Sequence, residues 1–252
     1  MSNSTIDSKN PLELANEGAS SSKILFFQEG LLKWFEKNRR SFLWRETHNP
    51  WYILLAEVLL QKTNARKVEN IYAEFINLYP TPAKLLNAGP ELQELLKPLG
   101  LWAAKSKILR SLAKSIVENF NGLVPDSFDN LISLPGVGSY IASAVLSFAY
   151  EKRTPIVDTN VIRILERYFG VCSTKNNNKE RDQQIWRFVE VLLPESNCVK
   201  RFNLALVDFG ALVCTHYHPH CDTCCIAPYC KYYSRERPFE IPPPDAALAP
   251  LE

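Results

Sequence analysis

The sequence predicts an all-α protein. Only 9 of its 252 residues are glycine, and many runs of Leu, Ala, Lys and Glu favour helices. Apolar residues recur at helical spacing through most of the chain, and we find no convincing strand, internal repeat or heptad pattern. Hydrophobic residues make up 46% and charged residues 22% of the chain, a composition typical of a globular protein with a real core.

The predicted helices follow one another with recognisable start signals. Residues 24–37 carry the first apolar helical pattern. The second helix begins with Asn49 as N-cap and Pro50 at the first helical position, and it is apolar almost throughout as far as Thr63, so it should be buried. The remaining predicted helices span residues 65–78, 82–88, 89–95, 103–120, 128–133, 139–150, 157–169, 181–193 and 200–213.

Both ends of the chain are expected to be flexible. Residues 1–22 are rich in Ser and Asn, and residues 234–252 contain a proline run followed by small residues. No apolar run approaches the roughly 18 residues of a membrane helix, and the polar start of the chain is not a secretory signal. We therefore expect an intracellular protein without a membrane segment.

The stretch from Leu134 to Asn160 carries a strong functional signal. Gly136, Val137 and Gly138 form a glycine turn at the start of an apolar helix, where free N–H groups and the helix dipole favour an anion such as a DNA phosphate. A plain αα-hairpin has the same pattern, and the turn alone leaves the two interpretations even. Asp158 follows in a loop, either as a carboxylate directed at a substrate or as a routine N-cap.

Glu57 lies between apolar neighbours on the second predicted helix. A carboxylate is costly in such a place unless it is paired or neutral, and burial would raise its pKa. A general acid that works near neutral pH needs a raised pKa of this kind. The alternative is a buried, satisfied glutamate, and we favour the catalytic interpretation because perturbed acids concentrate at functional sites.

Polar and basic residues form a candidate nucleic-acid surface. The net charge is only +2, so this surface has to be a local patch. Gln61 and Lys62 follow Glu57 at the end of the same predicted helix. Another predicted helix carries four cations that are equally well explained as a solvated face: Lys105, Lys107, Arg110 and Lys114.

A cysteine cluster near the end of the chain predicts a metal site, because disulfides are unexpected in an intracellular protein. The spacing C-x6-C-x2-C-x5-C leaves zinc and an iron–sulfur cluster nearly even. Three histidines in the same loop keep the zinc alternative open, and Cys225 is a spare thiol. The four candidate ligands are Cys214, Cys221, Cys224 and Cys230.

The LPGVG turn, the VD-x-N segment and the cysteine spacing together resemble the helix-hairpin-helix DNA glycosylases of the endonuclease III type, over about residues 26–233. The resemblance implies two helical domains with DNA in a cleft between them. Residues 50–152 would form a six-helix domain with the hairpin, and residues 23–49 plus 153–233 would form the cluster domain. The resemblance also implies a [4Fe-4S] cluster, instead of zinc, on the four cysteines.

Tyr140 narrows the resemblance to the monofunctional mismatch glycosylases. Endonuclease III proper has a lysine two residues after the last glycine of the hairpin, which forms a Schiff base, whereas this chain has Tyr140 there. The resemblance therefore implies a glycosylase without lyase activity. Two similar kinds exist: adenine glycosylases, which act opposite guanine or 8-oxoguanine, and thymine/uracil glycosylases, which act opposite guanine. Both share positions like Glu57, and both have an Asn two residues after the catalytic acid, here Asn160.

Two tripeptides favour the thymine/uracil kind. Adenine enzymes usually have Gln-Gln-Thr and Gly-Tyr-Tyr where this chain has residues 61–63, Gln-Lys-Thr, and residues 100–102, Gly-Leu-Trp. We also expect this chain to lack the further domain that reads 8-oxoguanine in most adenine enzymes. The expected activity is removal of thymine or uracil opposite guanine. The alternatives are an adenine glycosylase and, from another class, a non-catalytic DNA-structure-binding protein.

The resemblance assigns a role to each candidate residue. Asp158 would stabilise positive charge on the sugar, Glu57 would protonate or hydrogen-bond the departing base, and Tyr140 would line the pocket. The expected partner is double-stranded DNA with a mismatched or damaged base. We expect a monomer in the cytoplasm, associated with the nucleoid in a prokaryote. The implied DNA-binding residues are Gly136, Val137, Gly138, Gln61, Lys62 and Asn160.

Overall fold

The structure is a computed structural model that describes residues 20–236 except 174, 176–178 and 196. All regular structure in this part of the chain is helical, which confirms the predicted all-α class. Among the described helices, none combines the length and the apolarity needed to span a bilayer. Most of the predicted leader, residues 1–19, and most of the predicted tail, residues 237–252, lie outside the described residues.

The helices are labelled here in chain order. They are α1 (Ser21–Asn38), α2 (Pro50–Leu60), α3 (Ala65–Leu78), α4 (Pro82–Leu86), α5 (Glu91–Leu96), α6 (Trp102–Asn119), α7 (Phe128–Ile132), α8 (Ser139–Phe148), α9 (Thr159–Tyr168), α10 (Gln183–Leu192), α11 (Val199–Leu212) and α12 (Lys231–Glu236). Short 3₁₀ turns lie at Leu43–Arg45, Lys97–Leu99, Lys179–Arg181, Cys221–Thr223 and Ala227–Tyr229.

The described residues divide into two compact units, one within Met1–Arg40 and Pro155–Glu252 and the other within Ser41–Thr154. In the second, continuous unit, α2 is buried from Ile53 to Leu59 and packs against α3, α6 and α8. The Trp44 ring lies edge-on to Tyr72 with centroids 5.2 Å apart. Residues 41–49, which the resemblance assigned to the cluster domain, therefore lie in this unit.

The first unit is built from the two ends of the chain. α1 and α9 both pack against α11. Phe27 of α1 is fully buried, with its ring centroid 4.8 Å from that of Tyr168 and 6.1 Å from that of Phe202. At the end of α1, the fully buried carboxylate of Asp208 accepts hydrogen bonds from the Arg40 amide (2.9 Å) and its Nε (2.6 Å). These contacts combine an apolar core with a charged anchor at the point where the chain leaves α1.

Helix boundaries depart from the sequence prediction at three places. α1 begins at Ser21, ahead of the expected start near Lys23, because the Ser20 hydroxyl accepts the amide N–H of Lys23. α12 runs to Glu236, into the segment predicted to be flexible, since its first turn is continuous with the cysteine loop. There the Ser234 amide donates to the Cys230 carbonyl at 3.0 Å.

The third departure is at the end of α2. This helix ends at Leu60, three residues before Thr63. Lys62 has a φ of 53°, a left-handed conformation that cannot continue a right-handed helix. The Asn64 side chain then caps α3 by accepting the Arg66 amide at 2.9 Å. Gln61 and Lys62 therefore lie in the turn between two helices and not on α2.

Candidate active site and cysteine pocket

The glycine turn joins α7 to α8 as the sequence predicts. Gly136 has a φ of 80°, and an added Cβ would lie 2.4 Å from Cγ2 of Ile108 on α6, so only glycine fits there. Gly138 is the N-cap of α8, is exposed and faces open space. The first amides of a helix have no acceptor within it, so this turn presents N–H groups at a positive helix end. The arrangement suits a bound anion.

A hydrogen bond connects the glycine turn to the turn after α2. Nε2 of Gln61 donates to the carbonyl oxygen of Gly136 at 2.9 Å. Lys62, the next residue, is exposed and held in the left-handed conformation. The glycine turn and the turn after α2, which the sequence indicated separately, are thus joined. The side-chain amide of Gln61, which was predicted to contact DNA, here binds the protein itself.

Two of the four cations assigned to a possible phosphate-tracking face of α6 are engaged inside the protein. Lys105 is only 5% exposed, and its Nζ donates to the carbonyl oxygens of Leu59 (2.8 Å) and Gln61 (2.9 Å). Arg110 donates to the carbonyl oxygens of residues 88 and 89 at 2.6 and 2.8 Å. That interpretation was wrong for this pair, because a periodic pattern of charges does not reveal which members turn inward.

Glu57 and Tyr140 occupy the interior and the edge of the same unit. Glu57 is 7% exposed on α2. Burial raises the pKa of the neighbouring Tyr72 hydroxyl, and the charge of Glu57 raises that pKa further. Tyr140 lies in the first turn of α8, directly after the glycine turn, and is half-buried. Glu57 therefore has the buried setting that the sequence predicted, and Tyr140 has an accessible one.

Asp158 has features of both a helix cap and a functional acid. It is the N-cap of α9, with one carboxylate oxygen accepting the Val161 amide at 2.8 Å and the other accepting Nδ2 of Asn160 at 2.8 Å. Burial nevertheless raises the pKa of this carboxyl above its ordinary range, even though these hydrogen bonds and the nearby Arg163 favour the charged form. A cap in solvent would give the same helix start without that desolvation cost.

A polar chain leads from Asp158 to the cysteine loop. The Arg163 guanidinium donates to Oδ1 of Asn160 (2.7 Å), to the Gly210 carbonyl (2.8 Å) and to the Cys214 carbonyl (2.9 Å). Gly210 allows this approach, because an added Cβ would lie 2.6 Å from Cβ of Asn160. Sequence reasoning missed both Arg163 and Gly210. The one available signal was the i, i+3 spacing of Asn160 and Arg163.

The four candidate ligand cysteines line a single small pocket. Nη1 of Arg167 lies 3.5 Å from Sγ of Cys214. Burial raises the pKa of Cys224 to about 12 and also raises that of Cys230, so these thiols need a compensating cation to ionise. Across the described part of the chain, no three His, Cys, Asp or Glu side chains form a single-ion site. The structure therefore brings the four predicted ligands to one pocket.

The spare thiol lies apart from this pocket. Sγ of Cys225 is 3.5 Å from the carbonyl oxygen of Gly30 on α1, and burial raises the pKa of Cys225 to about 11. Cys225 is therefore a packing residue of the α1 contact in this structure, while its neighbour Cys224 faces the pocket.

Comparison with known proteins places the chain in a family. Residues 55–190 match the family described as HhH-GPD superfamily base excision DNA repair protein. The chain belongs to this superfamily, which confirms the resemblance drawn from the glycine turn, the acid and the cysteine spacing.

Its relatives include glycosylases of two specificities. The chain is 39% identical to a thymine/uracil-DNA glycosylase of Pyrobaculum aerophilum, over 84% of this chain and 94% of the relative. It is 32% identical to an adenine DNA glycosylase of Buchnera aphidicola, over 86% of this chain and 61% of that relative. A solved thermostable thymine-DNA glycosylase superposes with a TM-score of 0.80 at 32% identity, over 88% of this chain and 99% of that one.

Proposed function

We propose that this chain is a monofunctional DNA glycosylase that hydrolyses the N-glycosidic bond of thymine or uracil paired with guanine. The observation that carries the proposal is the 39% identity to a thymine/uracil-DNA glycosylase over nearly all of that relative. The residues agree with it: Tyr140 stands where a Schiff-base lysine would be needed, and Lys62 and Leu101 stand where adenine enzymes usually have Gln and Tyr.

The reaction requires a base that has left the helical stack. A mispaired base costs less to extrude than a paired one, which favours mismatches from the outset. Departure of the base then leaves positive charge on the sugar. Asp158, fixed by the Val161 amide and by Asn160, would stabilise that charge as a carboxylate in a partly desolvated setting. Water would then complete the hydrolysis.

Glu57 and Tyr140 would act on the departing base and around it. Glu57 is buried on an apolar helix, where its carboxyl would protonate or hydrogen-bond the departing base. Tyr140 carries no amine, so no covalent imine with the sugar forms at this position. It would line the pocket and contact the sugar. These roles give base release without strand cleavage.

Each group of DNA-facing residues would have its own role. The amides around Gly136, Val137 and Gly138 would hold a backbone phosphate, and Asn160 would support the acid beside the DNA. Gln61 would anchor the following turn, while Lys62 would enter the space that the extruded base leaves. Leu101 qualifies as a second probing side chain, because it is 60% exposed and held at a φ of 50°.

We also propose that Cys214, Cys221, Cys224 and Cys230 hold a [4Fe-4S] cluster. When bound, the cluster would cross-link the loop from Cys214 to Cys230, and any redox role would come from the cluster itself. Arg167 would stabilise the ligand shell, since it approaches the Cys214 thiol and also donates to the carbonyl oxygens of Thr215 (2.6 Å) and His216 (2.8 Å). The expected setting is a monomer acting on double-stranded DNA, in the cytoplasm with the nucleoid if the host is a prokaryote.

The test is base release from a panel of duplexes. The protein is incubated with T/G, U/G, A/G and A/8-oxoguanine pairs, and abasic sites are cut with alkali. We expect release from T/G and U/G, and no strand cut before alkali. Preferred release from the adenine duplexes would establish the adenine alternative. Binding without any release would establish a non-catalytic DNA-binding protein, and cutting without alkali would disprove the monofunctional assignment.

A further inference from the structure

One face of α6 contacts three parts of the proposed DNA-facing surface, all of them within Ser41–Thr154. Leu101 immediately precedes α6, and its carbonyl oxygen accepts the Lys105 amide at 2.9 Å. One turn further on, Ile108 packs on Gly136 in the glycine turn. Lys105, between them, binds the end of α2. Residues four and then three apart share one helix face, so these contacts are made side by side.

The ammonium group of Lys105 is buried for a specific set of contacts. Its two acceptors, the carbonyl oxygens of Leu59 and Gln61, lie at the end of α2, where helix termination leaves carbonyls without an intrahelical donor. A buried cation is costly unless it is well bound, and burial lowers the pKa of this lysine. An apolar side chain would fill the same space without that cost, but it would leave both carbonyl oxygens without this donor.

Gln61 is consequently held from two sides. Lys105 holds its backbone carbonyl, and its side chain donates to the carbonyl oxygen of Gly136. Lys62 follows directly, with an exposed side chain on a left-handed backbone. Leu101, whose carbonyl oxygen accepts the Lys105 amide, also has an exposed side chain and a left-handed backbone. Non-glycine residues keep such a conformation only when their surroundings enforce it.

We infer that Lys105 is a positioning residue that locks the Lys62 turn to the glycine turn, so that the phosphate grip and the probing side chains form one rigid surface. This inference rests on the proposed glycosylase function. It requires that loss of Lys105 impair extrusion of the base from the duplex more than it impairs DNA binding or bond cleavage.

The test compares Lys105→Met with Lys84→Met. Lys84 is an exposed residue of α4 in the same unit, so the control removes the same charge without the two buried hydrogen bonds. Single-turnover excision at saturating enzyme is measured on uracil opposite guanine and on uracil opposite a reduced abasic site, which offers no pairing partner. The fluorescence of 2-aminopurine placed beside the target base reports extrusion of that base from the duplex. The enzyme concentration that gives half of the maximal rate reports DNA affinity.

We expect Lys105→Met to slow excision from the U/G duplex roughly tenfold to a hundredfold, the factor that corresponds to losing a buried charge-assisted hydrogen bond. The 2-aminopurine signal should fall with it. Excision of the unpaired uracil and the half-saturation concentration should change less than threefold or so, within the range of a surface substitution. Lys84→Met should match the wild type, and Lys105→Arg, which keeps the charge and donors, should recover part of the rate.

Equal slowing on both substrates, or none on either, would overturn the inference, as would equal effects of Lys105→Met and Lys84→Met. If circular dichroism shows that Lys105→Met is unfolded, Gln61→Ala gives a second test. It keeps the carbonyl that Lys105 binds but removes the bond to Gly136, and the same substrate-selective loss is expected. A wild-type protein that releases no base from any duplex would instead refute the proposed function.

Discussion

Gly210 on α11 is the point where a single methyl group should disturb the proposed acid without touching it. A Cβ in Gly210→Ala would lie 2.6 Å from Cβ, 3.3 Å from Cγ and 3.4 Å from Cα of Asn160. The closest of these atoms adjoin the backbone of α9, so no flexible side-chain end can move aside. α9 and α11 would have to separate locally. That movement would shift the first turn of α9, which carries both Asp158 and Asn160, and lengthen the bond from Arg163 to the Gly210 carbonyl, now 2.8 Å.

The expected cost combines two effects. Overpacking of a filled contact costs about 1–3 kcal/mol, and weakening the hydrogen bond of a charged guanidinium adds about 1 kcal/mol. A total of about 2–4 kcal/mol corresponds to a Tm lower by roughly 5–15 °C for a chain of this size. Excision should also slow by about tenfold below the unfolding transition, because the Asp158 carboxylate moves with α9 away from its productive position.

Thermal unfolding by circular dichroism and single-turnover excision measure the two effects. Gly138→Ala is the matched control for stability, because a Cβ there meets nothing within 4 Å and its φ is −98°. Its Tm should equal that of the wild type, although DNA affinity should fall where the methyl meets the phosphate. A Gly210→Ala protein with wild-type Tm and wild-type excision would refute the reasoning about this contact.

Three further predictions concern the acid and the cysteines. Asp158→Asn should keep its Tm, since Asn caps a helix as well as Asp. Excision should fall about a thousandfold, because the variant loses the attraction between the carboxylate and the positive charge on the sugar. That attraction is worth about 4 kcal/mol for two charges roughly 4 Å apart at an effective dielectric constant of about 20. Wild-type activity in that variant would remove Asp158 from the mechanism. Because burial raises the pKa of Asp158 and the carboxylate is the active form, excision should decline as pH falls through a pKa above the ordinary value of about 3.9. Asn160→Ala removes a donor that lowers this pKa, so it should move the decline to higher pH, and an unmoved acid limb would contradict this. Cys230→Ser should abolish the visible iron–sulfur absorbance of the purified protein, whereas Cys225→Ser should keep it, and equal loss in both would contradict the assignment of the pocket.

Local signals in the sequence predicted the elements that depend on them. The Asn49 cap and the apolar run after it gave the position of α2, and the glycine turn gave the entry into α8. Burial of Glu57 followed from its neighbours along the same helix. The all-α class rests on many such periodic segments, which is why it was predicted correctly.

Features set by contacts distant in sequence were not predictable. The inward orientation of Lys105 depends on carbonyl groups more than forty residues earlier in the chain. The need for glycine at residue 210 depends on Asn160, and nothing near Gly210 in the sequence indicates it. The early end of α2 depends on the strained Lys62, whose identity gives no hint of a left-handed backbone. The spacing of residues along one helix predicts which side chains share a face. Which residues that face contacts depends on the helix that packs against it.

The two compact units differ in how soon they can form during synthesis. Ser41–Thr154 is continuous, so its contacts become available as soon as that stretch has left the ribosome. α1 emerges earlier, but its partner α11 is not made until residues 199–212, where Phe202 and Phe209 meet Phe27 and Trp34. At 5–20 residues per second this delay lasts roughly 10–30 s. Throughout that time the apolar face of α1 lacks the part of its native cover that α11 supplies, so Phe27 and Trp34 stay open to non-native contacts.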